Sequence, residues 1–216
     1  MKKNIIIYIV LGVVVCLLLW NFLKVEPINN DKIDITIDEK NNNLEEIKGD
    51  DKMSEVVVME TSMGNFEIEL NREKAPITVE NFIKYVNEGF YDGLIFHRVI
   101  KNFMVQGGGF TPNGNQKETH DEIKLESNNG LKNNKGTVAM ARTNVPDSAT
   151  SQFFINVVNN DFLNYALGND GYAVFGEVIS GMDIVEKIKA VQTSTKNGMG
   201  DWPVEDVLIT KAYLKE

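Results

Sequence analysis

Phe96-His97-Arg98-Val99-Ile100-Lys101-Asn102-Phe103-Met104-Val105-Gln106-Gly107-Gly108-Gly109 is the stretch on which the reading of this chain turns. It sets strand-forming apolar residues around one arginine and one amide. Arg98, Phe103, Met104 and Gln106 fall within nine positions. Strand side chains alternate between faces. Arg98 and Gln106 are eight apart, so a strand with no turn or bulge puts both on one side. The result is a basic, amide-bearing surface beside large apolar groups. That surface suits binding an apolar peptide segment while touching one backbone amide. Met140-Ala141-Arg142-Thr143 and Ser151-Gln152-Phe153-Phe154-Ile155-Asn156 repeat the mixture further along.

Working outward, residues 56–60 read as a strand, Met63-Gly64-Asn65 as a turn, and residues 66–70 alternate as a half-buried strand does. Pro76 opens a helix where its missing N–H costs little. Val79, Phe82, Ile83 and Val86 recur at helical spacing, and Gly89 ends the run. Further strands are predicted near 94–99, 103–106, 137–141, 152–156 and 172–179, with a helical turn at 161–166. Ile184, Val185 and Ile188 mark a second helix over 182–191, and residues 204–214 close the domain as a strand. This pattern is mostly β with two helices, which suits a closed barrel capped at its ends.

The ordered motifs FHRVI-x-x-FM-V-QGG, MAR and SQFFI resemble the cyclophilin-type peptidyl-prolyl cis-trans isomerases, in a bacterial form, over roughly residues 54–216. The resemblance implies a closed eight-stranded antiparallel barrel capped by two α-helices. It implies that Arg98 is the catalytic residue. Phe103, Met104, Phe154 and Leu163 would hold the proline ring, Gln106 the substrate backbone, and Ala141 and Arg142 would lie on the strand that binds the peptide. Gln152 would sit beside Arg98. Phe162 stands where many members carry tryptophan, and Tyr172 where many carry histidine, so both belong to the implied binding surface. Cyclosporin-type ligands are implied too, at weak affinity because phenylalanine lacks the indole N–H.

The residues support that chemistry on their own terms. An X–Pro bond rotates against a barrier of about 18–20 kcal/mol set by amide resonance. Twisting the bond localises a lone pair on the proline nitrogen. A donor placed there favours the twisted state over the planar one. A guanidinium is always charged and carries several fixed donors. No nucleophile, metal, cofactor or general base is required. A hydrolase reading is poor, because Ser148 and Ser151 have no histidine partner in sequence. His97 reads as a packed histidine and Gly107-Gly108-Gly109 as tight backbone turning, since no Lys-Ser/Thr follows for phosphate. A proline-peptide binding module or holdase is the rival from another class, and the presence of Arg98 argues against it.

Composition bounds the rest. Hydrophobic content of 43% and charged content of 25% are ordinary for a globular protein. The net charge is −9, and residues 24–216 carry −11. Such a surface disfavours nonspecific nucleic-acid binding. The single cysteine, Cys16, excludes an internal disulfide, and two histidines supply no metal-ligand set.

Residues 5–23 carry no charge and follow Met1-Lys2-Lys3-Asn4. Nineteen such residues approach the roughly 20 needed to cross a bilayer. The lysines favour a cytoplasmic N-terminus, and Trp20 suits an interface. No small-x-small exit follows Leu23, so residues 1–23 read as a transmembrane anchor or uncleaved signal. Residues 24–52, with five lysines, nine acidic residues and few apolar ones, read as a flexible acidic linker spanning about 30 Å. Residues 53–216 then form an isomerase domain outside the cytoplasm, single-pass on the cell membrane, acting on proline-containing exported polypeptides.

Overall fold

The computed structural model describes residues 55–216. The expected transmembrane helix and acidic linker lie outside the described residues. Among the described residues no helix is long and apolar enough to cross a membrane.

Strands β1 (Val56–Thr61) and β2 (Gly64–Leu70) form a hairpin, followed by helix α1 (Pro76–Asn87). Then come β3 (Arg98–Ile100), β4 (Met104–Gly107), β5 (Thr137–Met140) and β6 (Phe153–Asn156). A single 3-10 turn, Asp161–Leu163, precedes β7 (Val174–Ser180) and helix α2 (Met182–Ile188). A hairpin of β8 (Thr193–Lys196) and β9 (Met199–Pro203) leads to β10 (Ile209–Leu214).

Eight strands make one antiparallel sheet in the order β10-β1-β2-β7-β5-β6-β4-β3. The expected closed barrel needs correction, because the ladder stops at two edges, β10 and β3, and the sheet is a half-barrel. The segment predicted as strand over 94–99 explains the gap. Over 94–97 only Ile95 makes bridges, to Leu208 on one side and Phe110 on the other, while Arg98 and Val99 belong to β3. Backbone bonds from Gly93 to Ile209 and from Phe96 to Val207 tie the two edges without a continuous ladder. The strand predicted over 204–214 begins only at Ile209, and β8–β9 form a separate two-stranded sheet. The turn of that hairpin, Asn197-Gly198, has positive φ at both residues (54° and 79°), the geometry a two-residue hairpin loop requires.

Helix α1 has no side-chain cap of its own. The Glu126 carboxylate instead accepts from the backbone N–H of Ile77 (3.1 Å) and Thr78 (2.8 Å), placing a negative charge at the positive end of the helix. Its inner face buries Val79, Phe82 and Val86. Phe82 lies 5.6 Å from Phe153, 4.9 Å from Phe175 and 5.3 Å from Tyr91, ring to ring. Tilted and edge-on aromatic packing of this kind fills the main core. Val185 and Ile188 of α2 join the same core.

Alternation along the central strands sorts their residues into two sets. Val105, Val138, Met140, Phe153 and Ile155 enter the main core. Met104, Ala139 and Phe154 point the other way and join Leu163 and Val174 in a second apolar cluster. Met104, Phe154 and Leu163 of that second cluster form the floor of the candidate site.

Candidate active site

Arg98 and Gln106 do share a face, for a different reason from the spacing alone. A three-residue turn interrupts the stretch, so β3 and β4 pair antiparallel with Arg98 directly opposite Gln106. Residues directly opposite in a ladder present their side chains to one face. Gln106 in turn pairs with Phe154 on β6, and Phe154 with Ala139 on β5. Four neighbouring strands thus line up Arg98, Gln106, Phe154 and Ala139 in a row.

Arg98, Gln106 and Phe154 border a cavity of about 530 Å³, and Ala139 is buried outside its lining. Its lining contains Arg98, Phe103, Met104, Gln106, Ala141, Arg142, Gln152, Phe154, Leu163 and Tyr172. Ten of the eleven residues singled out in the sequence therefore converge here. The eleventh, Phe162, is 66% exposed and stands outside the lining. It stacks on Phe103 with centroids 5.5 Å apart, so it braces one wall from the solvent side. Ala141 and Arg142 follow the end of β5 at Met140 instead of lying within the strand. Ala141 N–H still donates to the Gln152 carbonyl at 2.9 Å, which holds the two segments together.

A chain of amides runs along the polar side. Arg98 donates from Nη1 to Gln106 Oε1 at 3.5 Å, and Gln106 Nε2 donates to Gln152 Oε1 at 3.0 Å. The Arg98 guanidinium carbon lies 5.9 Å from the Phe103 ring centre. Gly109 makes room for Gln152. A Cβ there would stand 2.6 Å from Gln152 Cγ, so only glycine lets the glutamine fold across the chain. On the opposite side, Arg142 donates from Nε (3.0 Å) and Nη2 (2.8 Å) to the Gly171 carbonyl and from Nη1 (2.9 Å) to the Thr143 carbonyl. Its guanidinium also lies 4.7 Å over Tyr172, which meets Phe154 edge-on at 5.6 Å.

His97 lines the cavity but does not suit acid–base work. Burial pushes its pKa down to about 4, and the Arg98 charge pushes the same way, so the ring is neutral near pH 7. It packs 4.6 Å from Phe110 and 6.0 Å from Trp202, ring to ring. Sequence reasoning missed Phe110, Met199, Gly200 and Asp201, which complete the lining. Phe110 was legible only through its bridge to Ile95, a contact between segments. Asp201 lies on the unforeseen hairpin with φ of 60°, uncommon for a residue with a side chain. A second, more polar cavity of about 770 Å³ shares Gln106, Ala141, Arg142 and Gln152 and extends the groove.

This arrangement offers one cationic donor at the rim of an apolar pocket, flanked by amides that can pair with a peptide backbone. The same arrangement of motifs defines a known family. The profile of the cyclophilin type peptidyl-prolyl cis-trans isomerase family matches residues 56–214.

The chain belongs to the cyclophilin-type peptidyl-prolyl cis-trans isomerases.

Relatives agree with the profile. The chain is 56% identical over 160 residues to a peptidyl-prolyl cis-trans isomerase of Acinetobacter baylyi, covering 74% of this chain and 85% of that protein. It is 54% identical over 164 residues to peptidyl-prolyl cis-trans isomerase B of Escherichia coli, covering 74% of this chain and all of that protein. Among solved structures, it resembles a Cryptosporidium parvum cyclophilin type isomerase crystallised in the presence of the dipeptide Ala-Pro. The TM-score is 0.62 at 26% identity, with 74% of this chain and 99% of that one covered. The cyclophilin fold and the isomerase class therefore rest on both sequence and architecture.

Proposed function

We propose that this cyclophilin isomerises X–Pro bonds of exported polypeptides, with Arg98 as the catalytic residue and the domain held outside the cytoplasm by an N-terminal anchor. The observation that carries the catalytic part is the position of the Arg98 guanidinium. It stands beside Phe103 and opposite Gln106, at the edge of a pocket floored by Met104, Phe154 and Leu163. A proline ring seated on that floor brings its nitrogen toward the guanidinium. As the bond twists, the nitrogen lone pair localises and accepts from Arg98 more strongly than the planar amide does. Gln106 and Gln152, already bonded to each other, offer the remaining amide groups to the client backbone. Proline-containing peptides are the partners this geometry fits, and the Ala-Pro dipeptide named with the parasite structure is of the same kind.

The anchor and the exported clients rest on the uncharged run 5–23, the basic start and the acidic remainder. Cyclosporin-type ligands would use the same pocket at reduced affinity, since position 162 is phenylalanine and donates no hydrogen bond. A protease-coupled isomerisation assay with the full chain tests the activity, and loss of all turnover in wild type would refute it. Fractionation tests the anchor: the protein should stay with membranes and keep Met1, and soluble protein beginning near residue 25 would overturn that part.

A further inference from the structure

The proline pocket has walls of two kinds. Met104 and Phe154 come from neighbouring strands, whose ladder fixes their spacing. Phe103 and Leu163 do not, since Phe103 sits in the turn before β4 and Leu163 in the 3-10 turn. No strand ladder sets the distance between those two.

Three asparagines bridge them. Asn160 Nδ2 donates to the Phe103 carbonyl at 2.8 Å and to Asn156 Oδ1 at 2.7 Å. Asn156 Nδ2 donates to Asn133 Oδ1 at 3.2 Å, and Asn133 Nδ2 donates to the Leu163 carbonyl at 3.1 Å. The path runs without a break from one wall's backbone to the other's. Second bonds from Asn156 Nδ2 to Thr137 Oγ1 (3.0 Å) and from Asn133 Nδ2 to Asn164 Oδ1 (3.2 Å) leave no amide hydrogen of the three unused. Asn156, Asn133 and Asn160 are 0%, 1% and 2% exposed, and none of them lines the cavity. Buried amides satisfied this fully rigidify what they join.

We propose that Asn133, Asn156 and Asn160 are positioning residues that hold Phe103 and Leu163 at the separation a proline ring requires. This rests on the reading of the cavity as the proline pocket. The central asparagine bonds to neither wall through its side chain, so removing it tests what the side-chain bridge adds to the backbone bonds from Val157 N–H to the Phe103 carbonyl (3.2 Å) and from Leu163 N–H to the Asn160 carbonyl (2.9 Å).

The experiment is exchange NMR of the full chain with an Ala-Pro tetrapeptide, comparing wild type, Asn156→Ala and Asn133→Ala. Asn81→Ala is the control; its side chain donates to the Thr150 carbonyl (2.7 Å), away from Phe103 and Leu163. Loss of the link should weaken peptide affinity about tenfold in both variants, the scale of one buried bond left unmade. The exchange rate at saturation, per folded molecule, should fall less than about twofold. A merely structural role would lower the folded fraction and leave affinity at the control's value, which would overturn the proposal. The wild-type protein gives an answer that needs no variant to fold: peptide saturation should shift the side-chain amide signals of Asn156 and Asn160, and unmoved signals contradict the link. If the peptide shifts those signals but not Met104 or Phe154, the pocket reading itself fails, and the proposal with it.

Discussion

The two ends of the cavity each carry an arginine, and the two guanidiniums are held in opposite ways. Arg142 uses Nε, Nη1 and Nη2 on the carbonyls of Gly171 and Thr143 and lies 4.7 Å from the centre of the Tyr172 ring. Arg98 makes one hydrogen bond at the limit of length, to Gln106, lies 5.9 Å from the Phe103 ring centre and otherwise faces the cavity. A guanidinium whose donors are bonded to backbone braces a loop. One whose donors remain available can meet charge that develops during a reaction. Residue type alone does not separate the two roles; the carbonyls around Arg142 do. Gly171 makes that bracing possible, because a Cβ there would stand 2.9 Å from the Leu163 carbonyl and 2.5 Å from Tyr165 N.

The comparison breaks first if Arg98 proves dispensable. Arg98→Ala should lower kcat/KM by about 10²–10³, the usual loss for one donor in an electrostatic site. Arg98→Lys should recover little, since an ammonium lacks the planar fork. Stopped-flow protease-coupled assays measure both.

Acid separates stability from chemistry at the same corner. His97 has a folded-state pKa lowered from 6.5 to about 4, so its contribution is fully present above pH 6.5. It is lost as pH falls toward 4, because the unfolded chain then binds the proton and the buried ring does not. The loss amounts to about 3 kcal/mol at 1.36 kcal/mol per unit. Denaturant titrations across this range should show the decline in wild type and a flatter profile in His97→Phe. The isomerisation rate of the folded enzyme should stay level meanwhile, because the guanidinium stays charged.

Phe154→Ala should weaken binding and turnover together by about tenfold or more, because it removes the pocket floor where no donor acts. Arg142→Ala should behave as loss of a brace. Affinity should drop about threefold to tenfold, with the rate at saturation within about twofold of wild type. A rate loss as large as that of Arg98→Ala would erase the distinction between the two arginines. The smallest effect concerns Phe162. Phe162→Trp should tighten cyclosporin inhibition by the worth of one hydrogen bond, about 0.5–1.5 kcal/mol, and leave peptide turnover unchanged. Equal inhibition constants would count against a donor role at that position.

Much of this was legible in the sequence because alternation reports which face a residue occupies. Phe153 and Phe154 are neighbours of the same type, yet one fills the core and the other floors the site, as period two demands. The two helices were legible from apolar spacing and from Pro76. What failed was whatever depends on contacts between distant segments. Closure of the sheet depended on whether residues 93–96 ladder with β10, and local β-propensity says nothing of that. The β8–β9 hairpin is mostly exposed in its first strand, so Thr193–Lys196 shows no apolar alternation to read. Its Asn197-Gly198 turn was the one available signal, and it leads to Asp201 at the cavity. The asparagine bridge was invisible for a related reason, since asparagine is ordinarily a loop residue and only the folded chain brings these three together.

The most direct test of Arg98 as the catalytic group is line-shape NMR of a proline peptide with wild type and Arg98→Ala, which yields affinity and bound-state exchange rate from one sample. The account expects affinity within a few-fold of wild type and an exchange rate at saturation reduced by about 10²–10³. Near wild-type exchange in Arg98→Ala at saturating enzyme would contradict it and leave a proline-binding module on the cyclophilin fold.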